Sequence, residues 1–279
     1  MMKIDRSPLP GLDRPSPVTR PDVGQLKIMG VLNVTPDSFW QGSRYDATER
    51  AISAGEEMFA DGAWAVDIGG ESTRPGAAEV SPDEEWDRIA PIVSALAARG
   101  RVSVDTRHPG VAEAAVQQGA SIINDVSGTL HRLAARLGTG YVGMHSTAVP
   151  VRAGAQPAYG DVVAEVSAYL LGVAAAAHAD GSTEVWIDPG IGFGKGTEDN
   201  LRLLRALPEL CGLGIPVLLG VSRKSFLGAV TGRAVEDRLP ASLAVLAPAW
   251  SAGVDVVRVH DVPQTRDTIA MLDTIWGQG

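Results

Sequence analysis

Four segments of this chain concentrate the side chains able to bind or transform a ligand. They are Asn33-Val34-Thr35-Pro36-Asp37-Ser38-Phe39, Asp67-Ile68-Gly69-Gly70-Glu71-Ser72-Thr73-Arg74-Pro75-Gly76, Asp188-Pro189-Gly190-Ile191-Gly192-Phe193-Gly194-Lys195 and Ser222-Arg223-Lys224-Ser225-Phe226. Glycine lets a backbone come close to a ligand and lets a loop close over it. Each segment follows a short apolar run, and other runs stop on Asp105, Asn124 and Asp125, His145 and Arg258. Carboxylates there can accept a pair of adjacent N–H groups, and Lys224 and Arg258 can answer negative charge. Where Ser222-Arg223-Lys224-Ser225 turns into a helix, free backbone N–H groups can receive an anion. Any one such loop can be a mere turn; four of them at one end of a fold make a site the better explanation. A Schiff-base role for Lys224 is the rival reading, but nothing singles out a carbonyl substrate.

The elements that must position these residues are eight Val- and Ile-rich runs of four to eight residues, the pattern of strands buried on both faces. They are Leu26–Leu32, Ala63–Val66, Val102–Val104, Ser121–Ile123, Tyr141–Met144, Val185–Ile187, Pro216–Val221 and Val254–Val257. Helical stretches fall between them. Ala47–Ala60 stops at Asp61-Gly62, and Ser81-Pro82-Asp83-Glu84 reads as a capped helix start. Further helices are expected from Pro109 through Gln118, over Thr129–Leu137 (barely two turns), Tyr159–Ala179, Glu198–Leu210 and Val262–Trp276. Alternating β and α units predict an α/β fold, a single-domain (β/α)8 TIM barrel, with all strand ends meeting on one face. In a closed barrel the first and last strands are neighbours, so Asn33, Arg258 and His260 are expected to share one anion site.

A chain of 279 residues suits one such barrel, here 25–279, while 1–24 is rich in Pro and Arg and is read as a disordered leader or a short β-lid at the barrel bottom. It has no apolar signal core. The net charge of −9 and the lack of a dense basic run argue against nucleic-acid binding. The single cysteine, Cys211, excludes an internal disulfide framework, fits a cytoplasmic location and is read as a buried thiol. Pro240–Val257 is read as a buried helix leading into the last strand, and no membrane span is expected.

The motifs MGVLNVTPDSF (29–39), DIGGESTRPGA (67–77), SVDTR (103–107), IINDVSG (122–128), IDPGIGFGK (187–195), GVSRKSFLG (220–228) and VRVHDV (257–262) together resemble the dihydropteroate synthases, in the family's order and over nearly the whole folded chain. The resemblance implies transfer of a 7,8-dihydropterin from its pyrophosphate to 4-aminobenzoate in folate synthesis. It also implies a barrel that is usually a homodimer, and a target for sulfonamides. Carried onto this chain, it puts Asp105, Asn124, Asp188 and Lys224 around the pterin and Asn33, Arg258 and His260 on the diphosphate. Asn33 would also hold Mg2+, a metal that keeps much of its water. Lys224, Asp105, Arg258 and His260 would be the catalytic set. Phe39, Pro75 and Phe193 would wall the 4-aminobenzoate ring, with Thr73 and Arg74 from the second loop and Ser225 at its carboxylate.

Two departures from the family pattern stand out. The first loop carries Gln41 where an acid is usual, so loop closure brings no negative charge to the reacting centre. The span from Asn124 to His145 is about five residues short and runs into Met144-His145-Ser146, without the usual arginine. Gln41 leaves a non-catalytic pterin-binding paralogue as the alternative. A methyltetrahydrofolate–corrinoid methyltransferase is disfavoured by the Ser-Thr-Arg-Pro-Gly loop. A dimer would use outer helices, the sixth to eighth, through Leu203, Leu204, Leu207 and Leu246, unless these are ordinary core positions.

Overall fold

A computed structural model describes residues 20–34, 44–71, 79–147 and 159–277, omitting the side chains of Arg44 and Tyr45. Eight parallel strands run in the order β6-β5-β4-β3-β2-β1-β8-β7. They are β1 Lys27–Asn33, β2 Ala65–Gly69, β3 Val102–Asp105, β4 Ile122–Asp125, β5 Gly140–Met144, β6 Val185–Asp188, β7 Leu218–Gly220 and β8 Val256–Val259. A single parallel bridge, Ile187 to Val217, joins β6 to β7 and nearly closes the barrel. The expected pairing of first and last strands is present, with Lys27 opposite Val256 and Gly30 opposite Val259.

Period-two alternation sorts each strand. Ile28, Val66, Val104, Ile123, Val185, Leu219 and Val257 face the helices and join their apolar sides in the main core. Met29, Ala65, Ile122, Val142, Trp186, Leu218 and Val256 pack together inside the barrel as a separate apolar layer, with Trp64 against it. Trp64 meets Trp186 edge-on at 5.5 Å, and the Arg101 guanidinium lies 4.5 Å from the Trp64 ring, closing the lower end.

The helices depart from the sequence expectation where proline intervenes. The stretch Glu198–Leu210 forms two helices, Thr197–Arg205 and Leu207–Cys211, because Pro208 supplies no N–H and its ring crowds the carbonyl of Leu204. Pro240–Val257 likewise divides into Leu239–Ala244 and Leu246–Ala252, with Pro248 near the start of the second, before β8. The helix expected from Tyr159 starts at Val162, where Asp161 accepts from the N–H groups of Val163 and Ala164. Ser81 caps Pro82–Ala97 as expected, accepting from Glu84 N at 3.2 Å. Val262–Trp276 forms as read. Val162–Ala179 is the one described helix long and apolar enough to cross a membrane, and Val166, Leu170, Val173 and Ala177 bury one face of it against the barrel.

Residues 1–19 lie outside the described residues. Arg20 ties the following segment to the barrel bottom, donating to the carbonyls of Gly24, Trp250 and Val254. A cavity of about 470 Å3 lies at that end, beside Pro21, Cys211 and Gly253. Cys211 is half-buried there, and burial pushes its thiol up to about 11, so it is no nucleophile at neutral pH.

Candidate active site

Two residues beyond the apolar layer, the same inward positions turn polar. Ala65 gives way to Asp67, Ile122 to Asn124, Trp186 to Asp188 and Val256 to Arg258, while Ser103 is followed by Asp105. All but Arg258 are buried. Glycine opens space in this layer: an added Cβ at Gly69 would lie 3.5 Å from Asp105 Cβ, and one at Gly220 3.7 Å from Asp188 Oδ2.

Arg258 crosses this layer. Its Nε donates to Asp67 Oδ2 at 2.5 Å and its Nη2 to Asp105 Oδ2 at 2.6 Å, and Asn124 Nδ2 reaches the same Asp67 oxygen at 2.9 Å. Burial works against the guanidinium charge, but Asp67 and Asp105 outweigh it and hold Arg258 above the ordinary arginine range. Asp105 itself is pushed up to about 7, first by burial, with Asp67 and Glu85 adding repulsion against the pull of Arg258 and Lys224. One oxygen of each acid, Asp67 Oδ1 and Asp105 Oδ1, is buried without a partner.

Asp188 accepts the N–H of Gly190 through Oδ1 at 2.7 Å, and burial raises its pKa. Gly190 has φ +65°, and a Cβ there would lie 1.9 Å from the His145 carbonyl oxygen, so only glycine fits. The rest of that loop is clamped from below. Lys195 Nζ donates to the carbonyls of Gly190 at 2.9 Å and His145 at 3.1 Å, while Asn200 Oδ1 accepts from Gly192 N at 2.7 Å. The loop presents Phe193, half-buried, with Lys224 Nζ 4.0 Å from its ring centroid. Burial and then Arg258 bring Lys224 down to about 8, against the attraction of Asp188 and Asp105.

Lys224 follows a strained residue. Arg223 has φ +57°, outside the usual region for a side chain with a Cβ. Ser242 Oγ accepts its N–H at 2.9 Å and Asp261 takes its guanidinium through both oxygens, at 3.0 and 2.5 Å. This clamp joins the loops after β7 and β8. Ser225 opens the following helix and is exposed. His260 Nδ1 lies 3.0 Å from Ser222 Oγ, leaving Nε2 for the mouth. Burial, then Arg258 and Arg223, bring His260 down to about 4, so it is neutral at physiological pH. Asn33 ends β1, half-buried, on the strand next to β8.

The structure thus brings Asp105, Asn124, Asp188, Lys224 and Arg258 together, with Asn33, His260 and Phe193 at the rim. Phe39, Gln41, Thr73, Arg74 and Pro75 lie outside the described residues. The neck of the second loop is described: Glu71 accepts from Val80 N at 3.1 Å and takes both prongs of Arg107 at 2.8 and 3.0 Å. The shortened fourth unit is held by Asp125, which faces outward and accepts from Ser127 N, Leu130 N and Tyr141 Oη. The sequence marks Asp67 among the polar residues that end apolar runs but assigns it no part in the reaction; β2 runs on to Gly69, so Asp67 lies mid-strand.

Set beside known proteins, this geometry has close counterparts. The profile of the family described as "Pterin binding enzyme" matches residues 29–260. Dihydropteroate synthase of Mycobacterium leprae is 45% identical in an alignment 271 positions long, gaps included, that covers 88% of this chain and 92% of the relative. The chain belongs to the dihydropteroate synthase family. The family's members are transferases, and so is this protein. The Xanthomonas albilineans synthase with 4-aminobenzoic acid superposes with a TM-score of 0.85 at 42% identity, covering 91% of this chain and 94% of that one. The same synthase in complex with 7,8-dihydropteroate superposes with a TM-score of 0.81 at 39% identity, covering 91% and 94%.

Proposed function

We propose that this member of the dihydropteroate synthase family joins 6-hydroxymethyl-7,8-dihydropterin pyrophosphate to 4-aminobenzoate, and that the polar layer over the barrel floor is where it reads the pterin. The observation that carries this reading is the placement of Asp105, Asn124, Asp188 and Lys224 on four different elements around one glycine-lined space. Asp188, with Oδ1 already on Gly190, offers Oδ2 to the amino and ring N–H edge of the pterin. Asp105 and Asn124 meet further ring atoms, and Lys224 supplies positive charge to the ring carbonyl and N5. Arg258 and neutral His260 donate to the diphosphate with Asn33. The C–O bond to diphosphate breaks, the electron pair leaves with it, and the amine nitrogen forms the new C–N bond and loses a proton. Phe193 lies against the incoming ring, and backbone N–H groups beside Ser225 receive its carboxylate; Phe39, Thr73, Arg74 and Pro75 complete that side in the reading.

Among the described residues, no group of three or more His, Cys, Asp or Glu could hold a metal. The donor set suits a cation that arrives on the diphosphate and takes Asn33 as one neutral oxygen ligand, which is how Mg2+ would bind and offset charge on the leaving group. The protein is proposed to work in the cytoplasm as a homodimer. Leu203, Leu204, Leu207 and Leu246 are buried in the core and cannot form its interface. Exposed Val230, Met271, Ile275 and Trp276, on helices after β7 and β8, are the better surface. Nothing in the described residues favours the non-catalytic alternative.

Pyrophosphate release with Mg2+, measured with and without 4-aminobenzoate, tests the reading. Release that depends on 4-aminobenzoate, matched by dihydropteroate, is expected. Pterin binding without release would overturn it.

A further inference from the structure

Asp67 has no task in the reaction above, yet it is the most enclosed charge in the site. It is 0% exposed, and its Oδ2 holds Arg258 Nε at 2.5 Å and Asn124 Nδ2 at 2.9 Å. Those two partners come from β8 and β4, so one oxygen ties two walls of the barrel. Arg258 divides its prongs, with Nη2 on Asp105 Oδ2 at 2.6 Å. A guanidinium meeting a carboxylate prefers two parallel bonds to that one group. Asp105 stands on β3, next to Asp67's strand, with Gly69 opposite Asp105 in the register. Arg258 can therefore fork onto Asp105 alone unless something holds its Nε. Asp105 Oδ1 is buried and has no partner, which leaves it one unused acceptor for a ligand N–H.

We infer that Asp67 is a positioning residue that keeps Arg258 from closing over both Asp105 oxygens and holds Asn124 beside them, so that one Asp105 oxygen stays unpaired for the pterin. The inference rests on the pterin-transfer reading of the same site. Without the charge of the Asp67 carboxylate, as in Asp67→Asn, Arg258 turns its fork onto Asp105, while the amide oxygen that remains still accepts from Asn124. Damage then falls on pterin binding and spares the arylamine side. The titration of Asp105 also moves. It is faced by Arg258 from β8, Asp67 from β2, Glu85 from the helix Pro82–Ala97 and Lys224 from the loop after β7. Asp67→Asn removes one repulsion and strengthens one attraction, and both favour the ionised acid.

Calorimetric titration of dihydropterin pyrophosphate, with steady-state kinetics across pH, tests this on the full chain. Asp67→Asn is expected to raise the pterin Kd and KM by about 10- to 100-fold, the loss of a charge-assisted hydrogen bond. The KM for 4-aminobenzoate should stay within about two-fold, and the acid limb of kcat/KM for the pterin should move to lower pH. In an Arg258→Gln background, which removes the fork itself, adding Asp67→Asn should change the pterin Kd less than about three-fold. That pair also leaves no unpaired buried arginine if the single variant fails to fold. An equal penalty in both backgrounds overturns the inference. So does a lower melting temperature with the pterin Kd and acid limb unmoved. If the wild-type protein binds the pterin but releases no pyrophosphate, the transfer reading fails while the calorimetric arm still decides the role of Asp67. If it binds no pterin, both fall.

Discussion

Inside this barrel, two layers of side chains lie two residues apart on the same strands and have opposite chemistry. The lower layer, Met29, Ala65, Ile122, Val142, Trp186, Leu218 and Val256, is apolar but for the buried Ser103 of β3 beside Ile122, and Trp64 packs against it. The upper layer sets Asp67, Asp105 and Asp188 against Arg258 and Lys224, and shifts the pKa of Asp105 and Lys224 toward neutrality from opposite sides. The contrast shows how a fold built for burial comes to hold charge. A dry floor keeps water out from below, so fixed donors and acceptors above act in a medium of low polarity. The floor contributes stability, and the layer above gives some of it up for chemistry.

The largest expected effect tests the floor. Trp186→Ala removes a buried indole packed on Trp64 and should cost about 3–5 kcal/mol of stability, read from urea unfolding. Protein that remains folded should bind the pterin within a few-fold of wild type. A collapse of binding with little loss of stability would break the division between layers.

Lys224→Met tests the upper layer in the opposite sense. It should lower kcat/KM by about 10^2- to 10^3-fold, the scale expected for losing one preorganised electrostatic contact. Because Lys224 is held against the cost of its own burial, the melting temperature should hold or rise. A variant that unfolds instead would make Lys224 part of the scaffold.

A third effect is on pH. Asp105 titrates near 7 and must be ionised to accept from the pterin, so kcat/KM should fall as pH drops through about 7. Lys224 titrates near 8 and must be protonated to supply charge, so the rate should fall again as pH rises through about 8. The profile is a narrow bell whose limbs belong to the coupled group of charges. Asp105→Asn should remove the acid limb from whatever activity remains. A flat profile between pH 6 and 9, about one unit beyond each value, would show that neither group's charge governs the rate.

How much of this could be read from the chain follows the same division. The eight strands, their order and the polar residues near their ends were legible, because a strand buried on both faces leaves a short Val- and Ile-rich run. Asn124 and Asp188 stood out as polar residues ending such runs, and their part at a pterin with Lys224 is what the family resemblance implies. Asp67 stood out in the same way, but its part did not, because only its contacts with Arg258 and Asn124 reveal it. The clamp between Arg223 and Asp261 was equally hidden, since it joins residues 38 positions apart. Helix breaks at Pro208 and Pro248 were visible in principle, but the apolar pattern running through them outweighed the missing N–H.

The smallest effect makes the sharpest comparison, because it concerns neighbours on one strand. Asn124 faces into the barrel and Asp125 faces out, where it accepts from Leu130 N at 2.7 Å and from Tyr141 Oη at 3.1 Å. Both are buried and polar, so burial alone cannot tell a ligand-reading residue from a structural one. Tyr141→Phe deletes one donor to Asp125 and keeps the ring. It should cost about 1.5–3 kcal/mol of stability, one hydrogen bond to a carboxylate, with the pterin Kd and kcat unchanged. Asn124→Ala, one step across the same strand from that acid, should instead weaken pterin binding while moving stability less. If Tyr141→Phe disturbed pterin binding as much as Asn124→Ala, the outward charges would belong to the site, and facing direction would not divide function from scaffold.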